Sequence, residues 1–547
     1  MTTNYLSILA ETIRTNWNQP ALTDFYLTED GTAQDTSRGN HYTYGEMYAE
    51  ICRVAELLTA LGLQKGDHIA ICGANSAHWV IAYLAIAKMQ GVSVTVMHSL
   101  QPDEIARLVA FSDAKALFTD EDIWGELQIP NRKSLIENQE CDLSVVLSLS
   151  DWSILHSICS QSRWSTDGQP TVSYDVTATQ SKEYLLDELV NGNWTNGICL
   201  DDLAMICFTS GTSGKPKGVV LTNNNVSVNA LNGSKSYPDG DSKNVLLFIP
   251  VAHVLCLYGD LLGQLIKGEA IFLLREISIN TIYHGIKILE PYAMNMIPQV
   301  VSAFLHLGDD GLSVLKKCQQ IYIGGAKLDD AQYEELKNAG IHSSVGYGMT
   351  ETGPISWYFY NEYRKGTCGK ICKTLTARIS PAGEILVKGE NVMLGYYKDS
   401  AATAAKIDSD GWLHTGDKGH LDEDGYLYVE GRLEQDIIVL PNGENIRPDN
   451  IESLINALPE VKESIVLARE GKLVAIAVVA NLSNLSNLYS ASSKTNANSV
   501  SISSLRRTIL RTVNPQLPLF SQLYDVEITD TPLQRTEKQT IKRYLYS

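Results

Sequence analysis

Two stretches of the chain repeat the same alternation of helical and extended patterns, and this rhythm restricts the fold more than any other feature. Residues 44–61 place apolar groups at helical spacing and stop at Gly62. A short apolar strand follows at 67–72, then a helix at roughly 78–90 and a strand at 92–96. Residues 313–346 repeat the pattern: a helix, a strand at 320–324, a helix capped by Asp329 and stopped near Gly340, and a strand at 341–345. Strand–helix–strand units build parallel sheets with helices on their faces, and ligands bind at the carboxyl edge of such strands. Residues 384–432 differ, because a strand at 384–388 and an Asp424–Gly425 turn point to antiparallel hairpins. The region after Arg432 is long enough for a small separate domain, and within it the Ser- and Asn-rich residues 481–504 read as a mobile surface loop.

The chemistry concentrates in a loop between two apolar strands, 203–208 and 219–222. It contains Thr209, Ser210, Gly211, Thr212, Ser213, Gly214, Lys215, Pro216, Lys217 and Gly218. Glycines let backbone N–H groups converge on an anion, hydroxyls add donors, and lysines add positive charge. This suits a polyphosphate, although the spacing is not that of the P-loop. The chain as a whole is acidic, with a net charge of −19 over 547 residues, so phosphate binding must be local and nucleic acid is a poor partner. The first residues have neither a basic start nor a sustained apolar run, and the apolar region near 79–97 is interrupted by Lys88, Gln90 and Gly91. Neither a signal peptide nor a membrane span is expected. The ten scattered cysteines read as free thiols of a reducing cytoplasm, with Cys368 and Cys372 too isolated a pair to argue for metal.

The loop resembles the phosphate-binding segment of the adenylate-forming superfamily, which includes acyl-CoA synthetases and the adenylation domains of peptide synthetases. Further segments extend the resemblance over nearly the whole chain in the same order. At 347–353 the chain reads Tyr347, Gly348, Met349, Thr350, Glu351, Thr352, Gly353. The resemblance implies that Tyr347 packs on adenine, Thr350 contacts phosphate, and Glu351 holds Mg²⁺ with help from Thr209. It also places adenine and the acyl group beside Gly324, Gly325 and Ala326, and it places Lys217 among the catalytic groups. Asp417, within a Gly-Trp-Leu-His-Thr-Gly-Asp run, would bind the ribose hydroxyls, and Arg432 would reach the ribose or phosphate.

The same resemblance implies a large domain of residues 1–432, a hinge at 433–436 and a mobile α+β domain at 437–547. The hinge is one residue longer than usual, which leaves Gln435 or Asp436 as the pivot. Gly443 would border a tunnel for the thiol. Lys538 stands in the place of the catalytic lysine, with Glu537 where a glycine is usual, and Lys542 is the alternative. His253 and Val254 would line the acyl pocket; the nearest acid, Asp260, lies further along, and an apolar lining disfavours a buried ammonium.

The expectation is a cytoplasmic α/β ligase. It would use ATP and Mg²⁺ to convert a carboxylic acid, with a medium- or long-chain fatty acid first, into an acyl-adenylate and pyrophosphate. The acyl group would then pass to a thiol, CoA first, with the phosphopantetheine of an acyl carrier protein as the alternative. A non-catalytic sensor of nucleotide or acyl groups is the alternative of another class.

Overall fold

In the computed structural model the described residues are 3–29, 31–127, 143–157, 181–191, 194–209, 216–236, 244–325, 328, 330–358, 364–433, 438–440, 444–446, 448–479, 497–534 and 545–546. The chain divides into two compact units, one of residues 1–210 and 216–431, the other of residues 432–547 together with 211–215.

An eight-stranded sheet lies at the centre of the first unit. Its order is Gly395–Tyr396, Lys217–Thr222, Leu203–Thr209, Val92–Val96, His68–Cys72, Ala116–Thr119, Val145–Ser148 and Ile154–Ser157. The inner strands, from Leu203–Thr209 to Val145–Ser148, are parallel, as the helical crossovers between them require. Two helices of this region are Tyr44–Ala60, which leads into the strand His68–Cys72, and the crossover helix Ala77–Lys88. The first starts at a capping box: Thr43 accepts from the Glu46 N–H, and the Glu46 carboxylate accepts from the Thr43 N–H. It ends before Gly62, whose φ of +90° a side chain would resist. The second is buried from Ala77 to Ile86, so its sequence is apolar all round rather than striped.

A three-stranded parallel sheet, Ala293–Met296, Gln320–Ile323 and Ser343–Val345, delivers the chain to Gly324 and Gly346 at its carboxyl edge. The helix before the last of these strands is Asp330–Asn338, and Gly340 follows with φ +75°. The strand itself is shorter than the sequence pattern at 341–345 indicated. Leu375–Ile379, Glu384–Gly389, Leu413–Leu421 and Leu427–Arg432 form the antiparallel part. The architecture is the α/β one read from the sequence.

The second unit has a core of its own, in which Ile451, Ile455, Val466, Ala475, Leu505, Ile509 and Val526 are buried together. These residues come from the sheet Val461–Arg469, Lys472–Val479, Asp525–Thr529 and from the helices Pro448–Asn456 and Ala497–Val513. The last helix corrects the reading of 481–504 as a loop. Residues 497–504 form its first turns, and its stripe of Leu505, Ile509 and Val513, at i, i+4 and i+8, is fully buried. A polar start concealed an amphipathic helix. Residues 480–496 lie outside the described ones. Among the described residues no helix is long and apolar enough to cross a membrane.

Candidate active site

The loop at 209–218 is a hairpin connection. Leu203–Thr209 and Lys217–Thr222 run antiparallel, with Thr209 opposite Lys217, so these two residues face each other across the mouth of the loop. Ser210, Gly211, Thr212, Ser213 and Gly214 fall outside the described residues. The Lys217 ammonium lies 4.9 Å from the centre of the Tyr396 ring. Tyr396 sits on the neighbouring strand, opposite Val219, and its hydroxyl donates to Glu351 Oε1 at 2.7 Å. Burial, followed by the Glu351 charge, raises the Tyr396 pKa well above that of a free phenol, so the hydroxyl stays a donor.

Glu351 is 7% exposed, and its own carbonyl accepts the Met393 N–H at 2.8 Å. Among the described residues Tyr396 alone donates to its carboxylate. A buried carboxylate held only by a neutral hydroxyl is costly unless a cation joins it. The donor set therefore fits Mg²⁺, a hard ion that takes one or two carboxylates and completes its shell with phosphate oxygens and water. The fold thus brings Thr209, Lys217 and Glu351 to one place, with Thr350 beside them, half-buried. Cys207 also belongs here, its thiol pushed up by burial and then by the Glu351 charge.

The Gly346 N–H donates to the Ile323 carbonyl at 2.9 Å, which seats Tyr347 beside the edge that carries Gly324 and Gly325. From there the Tyr347 hydroxyl donates to Asp417 Oδ2 at 2.5 Å. Asp417 is 6% exposed and its N–H donates to Thr415 Oγ1. Two residues 70 positions apart in sequence, assigned to adenine and to ribose, are therefore in direct contact. Ala326 is outside the described residues; Arg432 ends the strand Leu427–Arg432, and its side chain is not among those described.

The other flank is apolar. Asn75, fully buried, accepts the Val251 N–H and donates to the Ile249 carbonyl, which fixes the 249–251 segment. His253 follows and caps the short helix Val254–Cys256, its Nδ1 accepting the Leu255 N–H at 3.2 Å. That bond leaves the proton on Nε2. The ring is exposed by area, yet desolvation lowers its pKa. Together these describe a neutral imidazole at the start of that helix. Val254 is buried in the main core. Its neighbour Leu255 reaches Gly324, where a Cβ would meet the leucine methyls at 3.4 Å, and a Cβ on Gly325 would meet Ile297 at 3.6 Å. Asp260 is buried and accepts the Asn295 N–H.

Sequence reasoning did not single out Tyr396, Leu255, Ile297 or Asn75. The only sequence trace of Tyr396 is a Gly-Tyr pair after a short polar-to-apolar run, with no charge to attract notice. Lys538, Lys542 and Gly443, and Gln435 and Asp436 of the hinge, lie outside the described residues.

Residues 10–397 match the family described as AMP-binding enzyme, and residues 435–546 match the AMP-binding enzyme C-terminal domain. The chain is 28% identical over 475 residues to 4-coumarate–CoA ligase 3 of Arabidopsis thaliana, covering 81% of this chain and 78% of that one. A double mutant of o-succinylbenzoate CoA synthetase from Bacillus subtilis, solved with a product analogue, has a TM-score of 0.70 at 22% identity, over 98% of this chain and 97% of that one. The fatty acyl CoA synthetase of Mycobacterium tuberculosis has a TM-score of 0.62 at 20% identity, over 99% and 97%. At these identities the two structures speak for the fold.

Proposed function

The chain belongs to the AMP-binding enzyme family, and from that premise we propose that it is an acid–CoA ligase working through an acyl-adenylate. The observation that carries the reading is that the Tyr396 side chain meets both the Lys217 ammonium and the buried Glu351 carboxylate, while Tyr347, four residues before Glu351, meets Asp417. A triphosphate placed between the feet of the 209–217 hairpin and Glu351 meets positive charge on one side and a carboxylate suited to Mg²⁺ on the other. The bound ion would supply charge neutralisation at the phosphate oxygens.

The acid's carboxylate attacks the α-phosphorus, the bond to the bridging oxygen breaks, and pyrophosphate leaves with that electron pair. Protein catalysis of this step is positioning and charge stabilisation. Thr209, Lys217 and the loop glycines and hydroxyls Ser210, Gly211, Thr212, Ser213 and Gly214 hold the leaving phosphates. Thr350 and Glu351 act at the reacting end, and Tyr347, Asp417, Gly325, Ala326 and Arg432 hold the nucleoside. Lys538 steadies the developing charge, with Lys542 as the alternative. The thiol of CoA, entering past Gly443, then attacks the acyl carbonyl and AMP departs. The 433–436 hinge would let the 437–547 domain serve both steps.

His253, Leu255, Ile297 and Gly324 bound the acyl recess in this reading. Neutral His253 offers one Nε2–H donor to the acid's carboxylate, and the rest of the wall is apolar. Asp260 is committed to the core, so an α-ammonium would be left unpaired, at high cost. An apolar acid without an amine fits best. A medium- or long-chain fatty acid comes first, and an arylalkenoic acid second because of the 4-coumarate–CoA ligase relative.

Pyrophosphate release across fatty, aryl and amino acids, with CoA and with a carrier protein as acceptor, tests this. Fatty acids should gain up to about 0.8 kcal/mol per buried CH₂ until the recess is filled. A preference for an α-amino acid would overturn the assignment of the recess.

A further inference from the structure

We propose that Tyr396 is the positioning residue of this site, holding both the cation-binding carboxylate and the phosphate-loop lysine through two different parts of one side chain. The proposal rests on the reading of Glu351 as the residue that holds Mg²⁺.

Among the described residues the hydroxyl has one partner, Glu351 Oε1 at 2.7 Å. A donor on one oxygen fixes the rotation of the carboxylate, and no described residue donates to Oε2. The donor is a phenol hydroxyl, which is uncharged at neutral pH. It therefore orients the carboxylate without cancelling the charge that a divalent ion needs. The ring has a separate role. It lies under the Lys217 ammonium at 4.9 Å, within the range of a cation–π contact. No described carboxylate pairs with Lys217, so the lysine is held near the foot of the loop while its charge remains available to an anion.

The backbone makes Tyr396 a firm support. Its N–H donates to Thr403 Oγ1 at 2.8 Å. The flanking Leu394 and Tyr397 N–H groups donate to Val220 and Gly218, on the strand that Lys217 begins. Three residues earlier, the Met393 N–H donates to the Glu351 carbonyl. One short segment therefore fastens the exit of the phosphate loop to the acidic turn, and Tyr396 repeats that link with its side chain.

The test separates the two parts, the first read by metal affinity without turnover and the second by the KM for ATP. Mn²⁺ affinity is measured by electron paramagnetic resonance on the complex of the full chain with α,β-methylene-ATP. Tyr396→Phe keeps the ring and loses the hydroxyl. It should weaken Mn²⁺ binding roughly 10- to 100-fold, what one hydrogen bond to a charged group is worth. The same substitution in a Glu351→Gln background should cost almost nothing further, because the hydroxyl acts through that carboxylate. Tyr396→Leu, which also removes the ring, should add a rise in the KM for ATP that Tyr396→Phe lacks. A merely structural role would lower the melting temperature without this pattern. Unchanged Mn²⁺ affinity in Tyr396→Phe, with Glu351→Gln clearly weakened, would overturn the proposal and leave the reading of Glu351 standing. Unchanged affinity in Glu351→Gln would overturn both.

Discussion

At the scale of single residues the imidazole of His253 is the most exacting group in the site. Its Nδ1 is occupied by the Leu255 N–H, and desolvation opposes the cation, so its folded pKa lies below the ordinary 6.5. The linkage sign follows. Between the folded and unfolded values the unfolded chain binds the extra proton, so stability rises with pH there. The His253 contribution is complete above the unfolded value and is lost as the pH falls below it, levelling off only under the folded value. His253→Asn keeps a capping side chain and does not titrate. Urea midpoints at pH 7 and pH 5 should therefore fall further for the wild type than for the variant; equal falls would mean that the ring is not held neutral. His253, Glu351, Tyr347 and Asp417 were all legible in the sequence, since each is a polar group within a distinctive run. Tyr396 and Asn75 were not. Their roles depend on partners 45 and 174 or more positions away, and nothing in the local sequence specifies which groups will meet.

At the scale of elements the hairpin of Tyr347–Met349 and Gly353–Trp357 matters most, because its turn presents Thr350 and Glu351. Gly353 has φ +66°, and a Cβ there would fall 2.7 Å from the side chain of buried Asn229. Gly353→Ala combines a left-handed backbone strain of about 1–2 kcal/mol with a steric push against a side chain that itself accepts from Asn391. Denaturant unfolding should show at least that loss of stability, and pyrophosphate release should slow because Glu351 moves with the turn. Full activity in a destabilised variant would show that the turn tolerates displacement. The strands and helices of the parallel sheets were readable because their apolar periods are local. The pairing of Gly395–Tyr396 with Lys217–Thr222, which builds the site, was not, since it joins segments about 175 positions apart. The helix at Ala497–Val513 was missed for a different reason: its buried stripe lies in its second half, and the polar composition before it outweighed that signal.

At the scale of the molecule the two units differ in what they hold. Residues 1–431 contain Thr209, Lys217, Glu351, Tyr347, Asp417 and Tyr396. Residues 432–547 bury an independent core between a three-stranded sheet and two helices. A unit with its own core folds without its neighbour. A fragment of residues 1–431 should therefore melt cooperatively and bind ATP. It lacks Lys538, however, and loss of one group that stabilises charge in the transition state costs about 10²–10³ in rate. Pyrophosphate release by the fragment should fall by that much or more. In the full chain Lys538→Ala should show the same defect and still convert ready-made acyl-adenylate to thioester, because in the proposed reading the charge it supplies belongs to the first half-reaction alone. Gly443→Leu should behave in the opposite way, adenylating normally and failing to pass the acyl group to the thiol. Calorimetry of the fragment and both half-reactions of the two variants decide the matter. If the fragment releases pyrophosphate at the rate of the full chain, adenylation needs nothing beyond residue 431, and the division of labour between the units assigned to Lys538 and Gly443 falls with it.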